Sequence, residues 1–146
     1  MEVEIRDLQP VAVDHDLLRR AAELAAELAG ESVDRIELAL VDDRRIAQVN
    51  RSFRGTDGPT DVIAFEAEPG PEGLAGDIVV SVESAQRQAE EYRHSLQREM
   101  CLLVAHGVLH ALGHDDESES GAGRMRELQD AVLAGLEEFL TANERR

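Results

Sequence analysis

The sequence predicts one α+β domain spanning residues 1–146, with a small mixed sheet of three to four strands packed with four to five helices. Three observations lead there. Strand-like alternation and helix-like periodicity follow one another without a strict β-α-β repeat. Several strands are short and joined by turn residues, which predicts at least one antiparallel pair. The length and a hydrophobic content of 42% suffice for one proper core.

The elements follow in order. Alternation over Glu2–Arg6 predicts an opening strand. Asp14 can cap a helix whose apolar positions are Leu17, Leu18, Ala21, Leu24, Ala25 and Leu28, and Gly30 ends it. Val33, Ile36, Leu38 and Leu40 alternate with polar residues as a strand does. A short helix over Asp43–Phe53 follows from the spacing of Ile46, Val49 and Asn50. The turn residues Gly55, Asp57, Gly58 and Pro59 lead into a strand at Thr60–Glu66. EAEPGPEG, residues 66–73, reads as the most flexible segment, a loop tying two strands, and Gly76–Ser81 as a short buried strand. Val82–Arg93 is helical and polar. Ser95 caps a helix from Leu96 to about Leu112 whose broad apolar face (Leu96, Met100, Leu103, Val104, Leu109) makes it central. A last amphipathic helix spans Gly123–Leu140, with Met125, Leu128, Val132, Leu136 and Phe139 facing inward.

Composition excludes several function classes. No run approaches the roughly 20 apolar residues of a membrane span, so no membrane role is expected. The acidic, alternating N-terminus is neither a signal nor a transit peptide. A single cysteine, Cys101, excludes an intramolecular disulfide and fits a reducing, cytoplasmic compartment; its apolar neighbours mark it as a packing residue. Three Phe, one Tyr and no Trp argue against a surface built on stacking aromatics. Fifteen basic residues, all Arg, against 31 acidic ones give a net charge of −16, which repels nucleic acid at long range. A nucleic-acid role therefore requires a local basic patch.

The chemistry concentrates in HGVLHALGHDD, His106–Asp116, where three of the five histidines fall. His106 and His110 are spaced i, i+4, so a helix presents both imidazoles on one face, about 6 Å apart at Cβ, able to share an ion. His114 on a continued helix would lie about 12 Å of axial rise from His106. Metal–nitrogen bonds are only about 2.0–2.1 Å, so the chain must turn, and Gly113 can take the left-handed conformation that turns it. His114, Asp115 and Asp116 then all come within reach of the ion. A zinc peptidase of the HExxH type would carry its general base at position 107, which is Gly107 here, so a peptidase is disfavoured. Other hydrolyses remain open, because a bound divalent ion lowers the pKa of water towards 7.

Four segments in order resemble the YbeY family of bacterial metal-dependent endoribonucleases, over about Ile36–Leu133. Asn50–Phe65 (NRSFRGTDGPTDVIAF) is similar to the family's Asn, aromatic-Arg and Thr-Asp/Asn-Val-Leu-Ser-Phe segment. Ala75–Ser81 is similar to its Gly-Asp-Ile strand, and His94–Gly107 to its run into the metal helix, including Glu99. HGVLHALGHDD resembles its signature, His-Gly-x-Leu-His-Leu-x-Gly-Tyr-Asp-His. The family's third zinc ligand is a His six residues after the second, a position that is Asp116 here, while His114 replaces the family's Tyr. Aspartate is an acceptable zinc ligand, and a carboxylate accommodates harder ions more readily than a third imidazole does.

The resemblance implies a single-strand endoribonuclease acting in ribosomal RNA maturation at the small-subunit 3′ end and in ribosome quality control. It implies one Zn2+, or another divalent metal, on His106, His110 and Asp116, with His114 as the fallback ligand. Arg54 matches the family's functional Arg and is expected to contact the scissile phosphate, with Arg44, Arg45 and Arg51 in the same segment as a possible basic patch. Glu99, seven residues before His106, is a candidate for orienting a ligand. Asn50, Thr60, Asp61 and Asp77 are expected to be structural. Expected partners are ribosomal RNA, not DNA, and basic ribosomal or ribosome-associated proteins. Two alternatives accompany this reading: a non-catalytic ribosome-associated assembly factor with a structural metal, and a metal-dependent hydrolase of another substrate.

Overall fold

Residues that alternate along a strand send every second side chain to the same face, and here that face meets helices. In a computed structural model describing residues 1–71 and 73–144, four strands form one sheet in the order β1-β2-β4-β3. β1 (Glu2–Asp7), β2 (Arg35–Val41) and β4 (Gly73–Ser81) run parallel, and β3 (Val62–Gly70) pairs antiparallel with β4. The fold class is the one expected, an α+β domain with a mixed sheet.

Ile36, Leu38, Leu40, Ile78 and Val80 point to one face and are buried there against α1 (His15–Ala29) and α4 (Leu96–Ala111). Asp14 caps α1 by accepting from the Leu17 N–H, and Gly30 ends it at φ 70°. Leu28, expected to face in, is exposed; the small Ala22 and Ala26 are buried instead and let α1 approach its neighbours closely. α4 is buried on nearly all sides, from Met100 to Ala111, as its apolar composition demands. Cys101 lies fully in this core, and burial pushes its thiol up to about 12.

The opposite face carries a second, smaller cluster. Ile46 of α2 (Asp43–Arg54) packs there with Val41 and Ile63, near Phe65 and Val79. α2 starts at the Asp42 cap and stops at Gly55. Beyond α2, this face exposes Glu4, Glu37 and Asp77.

Two expectations need correction. Residues 66–73 are not a loop tying two strands. Glu66–Gly70 continue β3 and Gly73 already begins β4, with a register shift between Phe65 and Glu68 (Glu72 lies outside the described residues). Pro69 and the glycines hid this pairing because it is made with β4, not locally. The last predicted helix is two: α5 (Glu119–Gly135) and α6 (Glu137–Glu144), which with α3 (Val82–Tyr92) brings the helices of the described residues to six. At the break, a Cβ on Gly135 would stand 2.6 Å from Leu24 Cδ2, so α5 meets α1 there only through a glycine. Leu136 and Leu140 take the inward positions. Phe139, expected in the core, is at the surface under the Arg20 guanidinium, 4.7 Å from its ring centroid.

Candidate metal centre

α4 lays His106 and His110, one turn apart, on one side of the helix, and Gly107, between them in sequence, packs against the sheet. A Cβ there would stand 2.7 Å from Ile78 Cγ2 and 3.3 Å from Val62 Cγ2. The helix can seat on β3 and β4 only without a side chain at this position. The glycine that excludes a peptidase's general base is therefore required by packing.

The two Nε2 atoms are 3.0 Å apart, with the ring centroids at 4.5 Å. α4 then stops in a double cap: the Gly113 N–H donates to His110 O at 2.9 Å and the His114 N–H to Leu109 O at 3.0 Å. Gly113 has φ 93°, the left-handed turn expected from the sequence. The turn returns the chain so that Asp116 Oδ2 lies 3.9 Å from His106 Nε2 and 3.7 Å from His110 Nε2. Among the described residues, these three form the group whose ligand atoms all lie within 4.8 Å of one another. Asp115 is occupied elsewhere. Its Oδ1 accepts from the Glu117 and Ser118 N–H groups, which hold its carboxyl below the usual range. His114 is outside the group and does not line the cleft described below.

The donor set fits a divalent ion. Ligands on a tetrahedral zinc at 2.0–2.1 Å are about 3.3 Å apart, close to the spacings found. Burial, with help from the neighbouring His110, pushes the His106 pKa down and favours the neutral ring that a metal needs; Asp116 and Asp61 pull against this. The Gln129 side-chain amide, reaching from α5, lies 2.6 Å from His106 Nδ1 and fixes the ring that presents Nε2 to the site. Sequence reasoning missed Gln129, which lies 23 residues away in no motif.

The group sits in an open cleft of ≈ 400 Å³. Arg54, Asp61, Val62 and Ala64 line its other side. Arg54 thus faces the histidines from the end of α2. Arg44 and Arg45 are at the other end of that helix, about 15 Å of rise away, and do not line the cleft; Arg51 is exposed, 3.9 Å from Asp57. Asp61, expected to be structural, is both structural and a wall of the cleft: it accepts from the Val62 N–H at 2.8 Å and from Gln88 Nε2 at 3.1 Å. Asn50 is buried and donates to Gly58 O at 3.0 Å, holding the loop that follows Arg54. Glu99 is 1% exposed and paired with His94 at 2.6 Å, so its described partner is His94 rather than a ligand histidine. No helix among the described residues is long and apolar enough to cross a membrane.

The comparisons with known proteins agree with one another. Residues 5–137 match the family described as endoribonuclease YbeY. A Pelotomaculum thermopropionicum protein of that name is 47% identical, over 93% of this chain and 97% of its own. One from Moorella thermoacetica is 45% identical, over 80% and 81%. The fold is similar to the solution structure of a Thermotoga maritima protein, with a TM-score of 0.62 and 25% identity over 93% of this chain and 92% of that one.

Proposed function

The chain belongs to the YbeY endoribonuclease family, and from that premise we propose that it hydrolyses single-stranded RNA in the cleft between α4 and the end of α2. The substrate region is the 3′ end of small-subunit ribosomal RNA, within ribosome maturation and quality control in the cytoplasm. The observation that carries the reading is one juxtaposition: two imidazoles and a carboxylate within 4.8 Å of one another, in a cleft that an arginine also lines.

His106, His110 and Asp116 would hold one zinc ion, with His114 outside the set. When bound, the ion supplies charge stabilisation at the phosphate and an activated nucleophile at neutral pH. The chain's own residues do the rest. Gln129 holds the His106 ring in one orientation, and the double cap at Gly113 holds Asp116 over the pair. Arg54 presents a planar fork of donors to the scissile phosphate and neutralises charge as it builds there. Asp61, its carboxylate held by the Val62 N–H and Gln88, borders the cleft on the same side as Arg54. The chain's net charge of −16 favours basic ribosomal or ribosome-associated proteins as partners and disfavours binding to RNA at large.

The test is direct. Zinc-loaded protein is incubated, alone and with small ribosomal subunits, with end-labelled single-stranded RNA carrying the small-subunit 3′ sequence. Defined internal cleavage that a chelator abolishes and zinc restores supports the reading. Intact RNA in both settings, from a protein shown to contain the metal, overturns it.

A further inference from the structure

Phe53 is the most exposed large apolar side chain described, at 70%. It is not isolated. Its ring meets Phe65 edge to face, with centroids 5.5 Å apart and planes at 78°. The two rings and Val79 floor an open groove of ≈ 490 Å³ on the sheet face opposite α4. Glu68 and Asp77 stand around it, whereas Glu66, at its border, turns its carboxylate towards Gly113 on the α4 side.

The groove and the metal cleft are separate cavities that draw on the same two elements, β3 and the end of α2. Successive side chains of β3 alternate faces, so Val62 and Ala64 line the metal cleft while Phe65 lines the groove. Successive residues of a helix diverge by about 100°, so at the last turn of α2 Phe53 enters the groove and Arg54 the cleft. β3 is an edge strand, paired on one side only. A single nucleic-acid strand that crosses this edge with one phosphate at Arg54 brings a neighbouring nucleotide to Phe53.

We propose that the Phe53–Phe65 groove binds one unpaired base of the RNA substrate, adjacent to the phosphate held in the metal cleft. The inference rests on the nuclease reading above. The ligand chemistry follows from the lining. The Glu68 and Asp77 carboxylates repel a phosphate backbone, so the groove takes the base and not the backbone. The same carboxylates accept hydrogen bonds from exocyclic base amines, which favours cytosine, adenine or guanine over uracil. Few aromatic residues argued against an extended stacking surface, but one base needs only this pair of rings.

The experiment uses zinc-loaded full-length protein and short single-stranded RNAs carrying one 2-aminopurine at successive positions, with fluorescence recorded on mixing, before turnover. Quenching at one position, with about ten-fold weaker binding by Phe53→Ala, the order of one lost base–aromatic stack, supports the subsite. Phe53 is exposed, so the variant keeps its fold, checked by equal zinc content and an unchanged melting temperature. Equal affinity of wild type and variant overturns the subsite, even if both cleave. If a lysine-rich peptide binds the wild type and not the variant while RNA affinity is the same for both, the groove belongs to a basic protein segment. Quenching by a wild type that never cleaves removes the nuclease reading and leaves the base site standing.

Discussion

The Gln129 amide and His106 Nδ1 are 2.6 Å apart, a contact that ties α5 to the helix carrying the ligand pair. The Gln129 atom in contact is the amide nitrogen; with an ion on Nε2, Nδ1 would carry the ring proton and the amide would turn to offer its oxygen. Gln129→Ala should therefore lower zinc affinity about 10–100-fold while leaving the fold intact. Competition with a calibrated chelator measures it; unchanged affinity would show that the packing of α4 alone orients the ring.

Arg54 lines the cleft and reaches no described carboxylate, so its removal should cost catalysis and not stability. Arg54→Ala should slow single-turnover RNA cleavage about 100-fold, as loss of one preorganised donor to developing charge does. Arg54→Lys should recover part of it, since a point charge replaces a fork. Zinc content should not change. Cleavage by Arg54→Ala at the wild-type rate would remove Arg54 from the mechanism.

Gly107→Ala should both destabilise the protein and disturb the metal centre. The added Cβ would meet Ile78 Cγ2 at 2.7 Å and Val62 Cγ2 at 3.3 Å, both β-branched side chains of the sheet. Overpacking of this kind costs about 1–3 kcal/mol. Urea unfolding reads that loss, and weaker zinc binding reads the displacement of the histidines on either side. Wild-type stability would mean that α4 is free to shift off the sheet.

Asp43 predicts part of the acid limb of stability. Its desolvation is outweighed by Arg87 at 2.7 Å and by the Ser81 and Ser84 hydroxyls, at 2.6 and 2.7 Å, so its pKa lies below the ordinary value. A depressed folded-state pKa contributes stability that is present above the unfolded value, near 4, and is lost as pH falls through the folded one. Asp43→Asn should lower stability at neutral pH and flatten the decline below about pH 4. Equal pH dependence in both proteins would show that the network contributes nothing.

The core of the candidate site was legible because it is local. An i, i+4 histidine pair and a glycine turn can be placed by helical rise and bond length, while the choice of Asp116 among the three residues after the turn came from the family resemblance. Gln129 was not legible, because its relation to His106 exists only after α5 packs on α4. The same holds for Asp61, which resembles a turn residue until β3 brings it beside α4, and for Phe53, whose significance depends on Phe65 across a sheet edge. Residues 66–70 looked like loop because Pro and Gly weaken a strand's local signal, while their pairing partner begins only at Gly73. The break at Gly135–Leu136 and the outward turn of Phe139 depend on how close α5 lies to α1.

The most direct measurement is the metal content of the native protein by mass spectrometry, compared with Asp116→Ala and His114→Ala. Near-stoichiometric zinc in the wild type and in His114→Ala, lost in Asp116→Ala, is the predicted result. Zinc lost on removing His114 and kept on removing Asp116, or a wild type that holds no metal after reconstitution, would contradict the centre described.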